Sequence, residues 1–230
     1  MTHLLSIVVP VYNEARTVAE VIERLIAIDL PVAREILVVN DGSTDGTREA
    51  LDRIPPRPEL RIIHAAKNGG KGSAIRIGFA NAGGTIVAIQ DADLELDPAQ
   101  LAELVLPIVE GKTRVVYGSR FLAGRPDAPF ISIAANQFLT GVTNLLFGGR
   151  LTDMETCYKV MLADVAKSLE LECNRFDIEP EISAKLLRSG HAILELPVRF
   201  EPRSRAQGKK IGWRDGVQAV KVLLRYRVRK

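Results

Sequence analysis

Over its first 120 residues the chain alternates short β-branched runs with segments whose apolar residues recur at helical spacing, and that alternation leaves few folds open. Leu5 to Val9, Glu35 to Val39, Leu60 to His64, Thr85 to Ile89 and Arg114 to Tyr117 read as strands. Between the first two, Ala15 to Ile28 places Val18, Val21, Ile22, Leu25 and Ile26 on one helical face. A short helix closes at Leu51 and Ile54 before the Pro55-Pro56 break. Helices are also expected over Gly72 to Ala82 and over Pro98 to Val109, the latter with proline in its first turn. Successive strand–helix–strand units cross over right-handedly, so the expectation is an α/β domain with a mostly parallel, Rossmann-like central sheet.

Beyond residue 120 the pattern changes. Phe130 to Phe147 mixes apolar residues with Asn136, Gln137, Thr140 and Asn144. Glu179 to Arg188 reads as a helix, Ile193 to Phe200 as a late strand, and Gly212 to Tyr226 as an amphipathic helix. With 47% hydrophobic and 26% charged residues in 230, the chain buries a core and is not disordered. The expected division is one domain over residues 1–211 and a basic C-terminal helix over 212–230. Two cysteines, Cys157 and Cys173, make no disulfide framework, which points to a reducing, cytosolic compartment. The N-terminus lacks a basic stretch ahead of an apolar run, so no signal peptide is expected, and no run of 18 apolar residues suggests a membrane span.

The net charge of +3 hides an uneven distribution. Arg199 to Lys230 holds 11 Lys and Arg against 2 Asp and Glu, so the body before it is mildly acidic. A basic tail implies a polyanionic partner, and the scarcity in it of interleaved stacking residues such as Trp213 and Tyr226 argues against nucleic acid.

Ligands of open parallel sheets bind beyond the carboxyl ends of the strands. The expected ends carry Pro10-Val11-Tyr12-Asn13-Glu14, then Asn40-Asp41, then Lys67-Asn68-Gly69-Gly70-Lys71-Gly72, then Gln90-Asp91-Ala92-Asp93. Asp41 alone is explained as a helix cap, and Glu14 as a favourable charge at a helix start. Together the carboxylates converge on one edge of one sheet. Asp91 and Asp93 stand two apart, so in extended backbone both point into one volume. Such a pair repels unless a proton or cation separates it, and hard oxygen ligands suit Mg²⁺ or Mn²⁺. The other reading is a solvated acidic turn, because Glu95 and Asp97 follow. The glycine-rich stretch matches neither a dinucleotide fingerprint nor a P-loop.

These segments, with Gly118-Ser119-Arg120, Leu151-Thr152-Asp153-Met154-Glu155-Thr156-Cys157-Tyr158-Lys159 and Gly208-Lys209-Lys210-Ile211, resemble the inverting family-two glycosyltransferases of GT-A fold. Within them the resemblance is to the dolichol-phosphate mannosyltransferase-like branch. It implies that Pro10, Tyr12, Glu14, Asp41, Lys71, Asp91, Ala92 and Arg203 bind a nucleotide sugar. It implies a divalent metal on Asp91 and Asp93, with Glu95 where the family often has Gln. Asp93, Arg120 and Asp153 are then assigned to catalysis, with Asp153 near the donor sugar or reaction centre. Arg120, Asn136, Arg203, Lys209 and Lys210 are assigned to the acceptor phosphate or lipid. The QxxRW pattern of processive synthases is absent, which argues for transfer of a single sugar.

If the acceptor were a hydroxyl, a base such as Asp153 or Glu179 would have to take its proton. A phosphate monoester, with a second pKa near ~6, attacks without one and instead needs local positive charge. The expected function is therefore transfer of one hexose from a nucleotide sugar to a polyprenyl phosphate, by a peripheral protein at the cytoplasmic face of a membrane. Alternatives are a glycosyltransferase with a soluble hydroxyl acceptor, a non-catalytic nucleotide-sugar or anionic-lipid binding module, and a nucleotidyltransferase. In the C-terminal helix, Trp213, Val217, Val220 and Leu224 share a face and Arg214, Gln218, Lys221 and Arg225 another. That pattern fits a helix lying in a membrane interface or one packed on the core. Phe130 to Phe147 reads as too polar to span a bilayer and suited to lying along a polyprenyl chain.

Overall fold

The computed structural model describes residues 3–203 and 213–229. Seven strands form one sheet: β1 (Leu4–Val11), β2 (Ala33–Asn40), β3 (Leu60–His64), β4 (Ile86–Ile89), β5 (Val115–Ser119), β6 (Lys159–Leu162) and β7 (Leu194–Pro197). Their order is β3-β2-β1-β4-β6-β5-β7. All pairings are parallel except those of β6, which runs antiparallel to both β4 and β5. The single α/β domain and mostly parallel sheet expected from the sequence are both present. The chain winds outward from β1 to β3, returns to β4 on the other side of β1, and so opens a crevice above β1 and β4.

Strand residues alternate between two apolar layers. Leu5, Ile7, Val9, Ile36, Val38, Ile86 and Ala88 face α1 (Val18–Ala27), α2 (Thr47–Asp52) and α4 (Leu101–Val109), the last entered through a 3-10 turn at Pro98–Gln100. Val8, Leu37, Val87, Ile89, Val115 and Tyr117 face α3 (Lys71–Asn81), α5 (Phe130–Phe147), α6 (Ala163–Ser168), α7 (Ile178–Arg188) and α8 (Trp213–Val228). A sheet covered on both faces explains why its strands read as continuous apolar runs. α3 lies so close to β1 that a Cβ on Gly78 would come within 2.2 Å of a Val8 methyl.

β6 and α6 are not legible in the sequence. β6 is only four residues long and opens on Lys159, which is fully buried. Because β6 is antiparallel, its amino end reaches the edge where the other strands deliver their carboxyl ends. The segment 151–158 therefore arrives at the crevice.

α5 is one helix of 18 residues, ended by Gly148 at φ 70 in the left-handed region. Its polar residues serve the fold. Asn144 Nδ2 donates to Leu151 O, Leu151 N–H donates to Asn144 Oδ1, and Met154 N–H donates to Thr140 Oγ1. Its outer face exposes Ile131, Phe138 and Leu145. Contrary to the expectation that it is too polar, α5 is long and apolar enough to cross a membrane by length and composition, the one such helix among the described residues. It nonetheless packs against α7 and α8.

α8 takes the packed alternative. It buries Ala219, Val222, Leu223 and Tyr226, a stripe beside the one that the sequence pattern emphasises, and leaves Val217, Leu224 and Val228 exposed. The Tyr226 hydroxyl donates to Glu181 Oε1 at 2.5 Å, and Arg188 donates to Tyr226 O at 2.7 Å. Arg225 and Arg229 pair with Glu172. α8 is thus part of the core layer. Tyr226→Ala is expected to lower unfolding free energy by about 3–5 kcal/mol in urea titration. A loss under about 1 kcal/mol would mean that α8 is a detachable appendage.

Candidate functional site

One cavity of about 290 Å³ opens at the carboxyl edge, and 22 residues line it. Asp91 and Asp93 are brought together with Glu14 and Asp41, as the sequence reading requires. Pro10, Tyr12, Lys71, Ala92, Glu95, Arg120 and Arg203 line it as well. Asn136 lies in a smaller neighbouring pocket that shares Arg120 and Phe200 with the first. Asp153 lines neither. Lys209 and Lys210 fall outside the described residues.

At the ends of β1 and β2, the cavity wall is Pro10, Tyr12, Glu14 and Asp41. Asp41 is nearly enclosed, and its carboxylate accepts from Gly69 N–H at 2.9 Å and Gly70 N–H at 2.7 Å. It therefore fastens the glycine-rich turn as well as lining the cavity. Gly70 adopts φ 95, and a Cβ there would meet Asn174 O at 2.4 Å, so only glycine fits.

The turn leads into α3 and delivers Lys71. Its ammonium stands 2.9 Å from Asp91 Oδ2 and 2.9 Å from Glu179 Oε1. Burial alone would lower the Lys71 pKa, but Asp91 and Glu179 outweigh it and hold it well above the ordinary value. Glu179, in the first turn of α7, also pairs with Lys159 at 2.5 Å. Burial works to raise its pKa, and Lys159 and Lys71 keep it below the usual carboxylate range.

The loop after β4 is held from behind. Tyr158 donates to Gln90 Oε1 at 2.7 Å, Gln90 donates to Asp91 O at 3.0 Å, and Thr17 donates to Ala92 O at 2.7 Å. Burial, then Asp91 and Glu95, push the Asp93 carboxyl up to about 7, against the pull of Arg203. Arg203 donates to Glu14 at 2.8 and 3.1 Å and to Asp93 Oδ2 at 3.2 Å. Glu95 accepts from Arg203 N–H at 2.8 Å.

The metal expectation changes in one respect. Among the described residues no three His, Cys, Asp or Glu side chains gather to hold a metal. Glu95, the third expected ligand, is engaged by the Arg203 amide, and Asp91 and Asp93 offer two hard-oxygen groups whose crowding a divalent cation would relieve, so the residues present fit such an ion if a ligand supplies the other oxygens.

Arg120, just past β5, is bound by Asp153 through three donors. Its N–H reaches Oδ2 at 3.0 Å, Nε reaches Oδ2 at 2.7 Å, and NH2 reaches Oδ1 at 2.7 Å. Asn136 donates to the same carboxylate at 3.0 Å. Phe200 lies under the guanidinium at 5.2 Å. Burial disfavours the Arg120 charge, but Asp153 more than restores it. Asp153 is fully buried, so the structure places it behind Arg120, away from the cavity.

The cavity also includes Glu155, Cys157, Arg175, Phe176 and Phe200, to which the sequence reading assigns no role. Glu155 and Cys157 lie in the 151–159 segment, whose approach depends on antiparallel β6. Arg175 and Phe176 enter from the loop before α7, where no periodicity or spacing signals a site.

The chain belongs to glycosyl transferase family 2, whose profile matches residues 6–167. It is 31% identical over 182 residues to dodecaprenyl-phosphate galacturonate synthase from Rhizobium johnstonii, covering 75% of this chain and 52% of that protein. It is 27% identical over 227 residues to undecaprenyl-phosphate mannosyltransferase from Micrococcus luteus, covering 94% and 90%. Several curated relatives are much longer, and the chain spans only 33%, 52% and 59% of three of them. Among solved structures, glucosyl-3-phosphoglycerate synthase from Mycobacterium tuberculosis, in complex with Mn²⁺, UDP and phosphoglyceric acid, superposes with TM-score 0.76 at 19% identity. The match covers 98% of this chain and 79% of that one and bears out the expected GT-A fold.

Two outcomes follow from the site's charges. Asp153→Ala, which strands the Arg120 guanidinium, is expected to cost about 3–5 kcal/mol in thermal or urea unfolding. Asp93 has a folded pKa above its unfolded value, so its contribution to stability falls as pH rises from about 4 to about 7. In EDTA, Asp93→Asn should therefore gain Tm over the wild type at pH 8 by about 3 °C or more, by less at pH 5 and by little at pH 4. A Tm difference independent of pH would remove this account.

Proposed function

We infer that this family 2 glycosyltransferase transfers one hexose from a nucleoside diphosphate sugar to a polyprenyl phosphate, with inversion and with Mg²⁺ or Mn²⁺ on the donor. The observation that carries the reading is the alternation, in one cavity, of a carboxylate pair with Lys71, Arg120 and Arg203. The activities of the relatives from R. johnstonii and M. luteus, a dodecaprenyl-phosphate galacturonate synthase and an undecaprenyl-phosphate mannosyltransferase, support the acceptor class.

Pro10, Tyr12, Glu14 and Asp41 bind the nucleoside end. Asp91 and Asp93 hold the metal, which when bound supplies positive charge to the donor diphosphate. Lys71 and Arg203 add fixed charge beside it, and Ala92 keeps the backbone close. Glu95 acts through the Arg203 amide and is not required as a ligand. The acceptor phosphate lies against Arg120 and Asn136. One of its oxygens forms a bond to the anomeric carbon on the face opposite the nucleoside diphosphate. The bond from that carbon to the diphosphate oxygen breaks, and the electron pair leaves with the diphosphate. That oxygen carries no proton at neutral pH, so no base is needed. The site agrees: Asp153 is enclosed by four donors, and Glu179 is paired with two lysines. Asp153 thus acts as a positioning residue for Arg120.

The smaller pocket is bounded by Arg120, Asn136 and Ile133, and the α5 face beyond it exposes Ile131 and Phe138. That face gives a lipid chain an apolar path. Exposed Val217, Leu224 and Val228 with Arg214, Lys221 and Arg225 on α8 suit the surface of an anionic leaflet. The protein then works at the cytoplasmic face of a membrane.

The test is a donor panel of UDP- and GDP-hexoses with Mn²⁺, offered short polyprenyl phosphates and 3-phosphoglycerate, read by product mass. A single added hexose on the lipid phosphate is expected. Asp91→Ala and Asp93→Ala should each lower that rate at least about 10³-fold with folding retained. Transfer to 3-phosphoglycerate but not to lipid would overturn the acceptor assignment.

A further inference from the structure

Glu155 is a carboxyl that the fold does not use. Its neighbours in the chain are fastened on both sides. Met154 N–H donates to Thr140 Oγ1, Lys159 donates to Met154 O and to Thr156 O, and the Thr156 hydroxyl donates to Gly118 O. The Glu155 side chain takes no part in this, and its Oε1 is buried without a hydrogen-bond partner among the described residues. An unmet buried acceptor costs stability, so its presence on a cavity wall points to a ligand that completes it.

Position indicates which part of the ligand. In the reading above, the nucleoside lies at the ends of β1 and β2 and the diphosphate at Asp91, Asp93, Lys71 and Arg203. The acceptor phosphate lies at Arg120 and Asn136. Glu155 lines the cavity that also holds Asp91, Asp93, Lys71, Arg203 and Arg120, and two of the charges acting on it, Glu179 and Arg120, line that cavity too, so it faces the space between diphosphate and acceptor. That gap is where the transferred sugar must be.

Chemistry indicates the group. Burial, then Glu179, push the Glu155 carboxyl up to about 7 against the pull of Lys159 and Arg120. A cation would match only its ionised form and an anion only its protonated form. A hydroxyl both donates and accepts, so it satisfies either. We propose that Glu155 hydrogen-bonds a ring hydroxyl of the transferred hexose and so helps decide which hexose the site accepts. The proposal rests on the function inferred above.

Calorimetry in Mn²⁺ separates the two. UDP, GDP, UDP-glucose, UDP-N-acetylglucosamine and GDP-mannose are titrated into wild type, Glu155→Gln and Glu155→Ala. Glu155→Ala should bind the nucleoside diphosphate within about threefold of wild type. It should bind the preferred sugar nucleotide at least about tenfold more weakly, with the Gln variant between. Among monodeoxy analogues of that donor, one should be disfavoured by wild type, and Glu155→Ala should close the gap. Equal losses for nucleotide and sugar nucleotide, or no loss for either, would overturn the proposal. The second result, with turnover abolished in Glu155→Gln, would make Glu155 a proton acceptor instead. Wild type that binds no nucleotide would sink the functional reading itself.

Discussion

The binding edge depends on cations standing between carboxylates. Lys71 separates Asp91 from Glu179, and Lys159 closes the far side of Glu179. Arg203 ties Glu14, 189 residues before it, to Asp93, and Arg120 neutralises Asp153. Without such interleaving, buried carboxylates would drive one another's pKa values up and the edge would not stay anionic. The exception is informative. Asp93 faces Arg203 at 3.2 Å, the longest of these contacts, and it is among the carboxylates whose pKa rises. In the proposed reading, a divalent cation there would relieve the repulsion that Asp91 and Glu95 exert on it.

Support for this edge comes from an unexpected division within α5. Its inner polar residues, Asn136, Thr140 and Asn144, hold the 151–154 segment and thereby the Arg120–Asp153 pair. Its outer face carries no charge and exposes Ile131, Phe138 and Leu145. A composition that looks half polar is thus two faces with different work.

Much of the site was legible because its signals are local. Asp91 and Asp93 are two residues apart at the end of an apolar run, and Pro10 to Glu14 follows another such run, so sheet topology alone converges them. Asp41 was legible as a strand-end carboxylate, but not as the acceptor for Gly69 and Gly70, because those amides come from a turn nearly thirty residues on. Glu155 is not legible in the sequence because β6 is four residues long and begins with a lysine. Nothing in residues 155–162 announces that Glu179 neutralises Lys159 and lets the strand be buried. In α8 the helical period was plain, yet which stripe is buried depends on where α5 and α7 present their surfaces.

Residue order therefore carries the parallel α/β plan, the strand ends that bear chemistry and the family likeness, because each rests on periodicity or spacing within a few residues. Packing alone settles that Asp153 lies behind Arg120, that Glu95 turns to the Arg203 amide, and that Glu155 reaches the cavity with its Oε1 unpaired among the described residues. Those are matters of charge and hydrogen-bond pairing between groups far apart in the chain, and the energy of a pair depends on distance and burial that exist only once the sheet has brought them together.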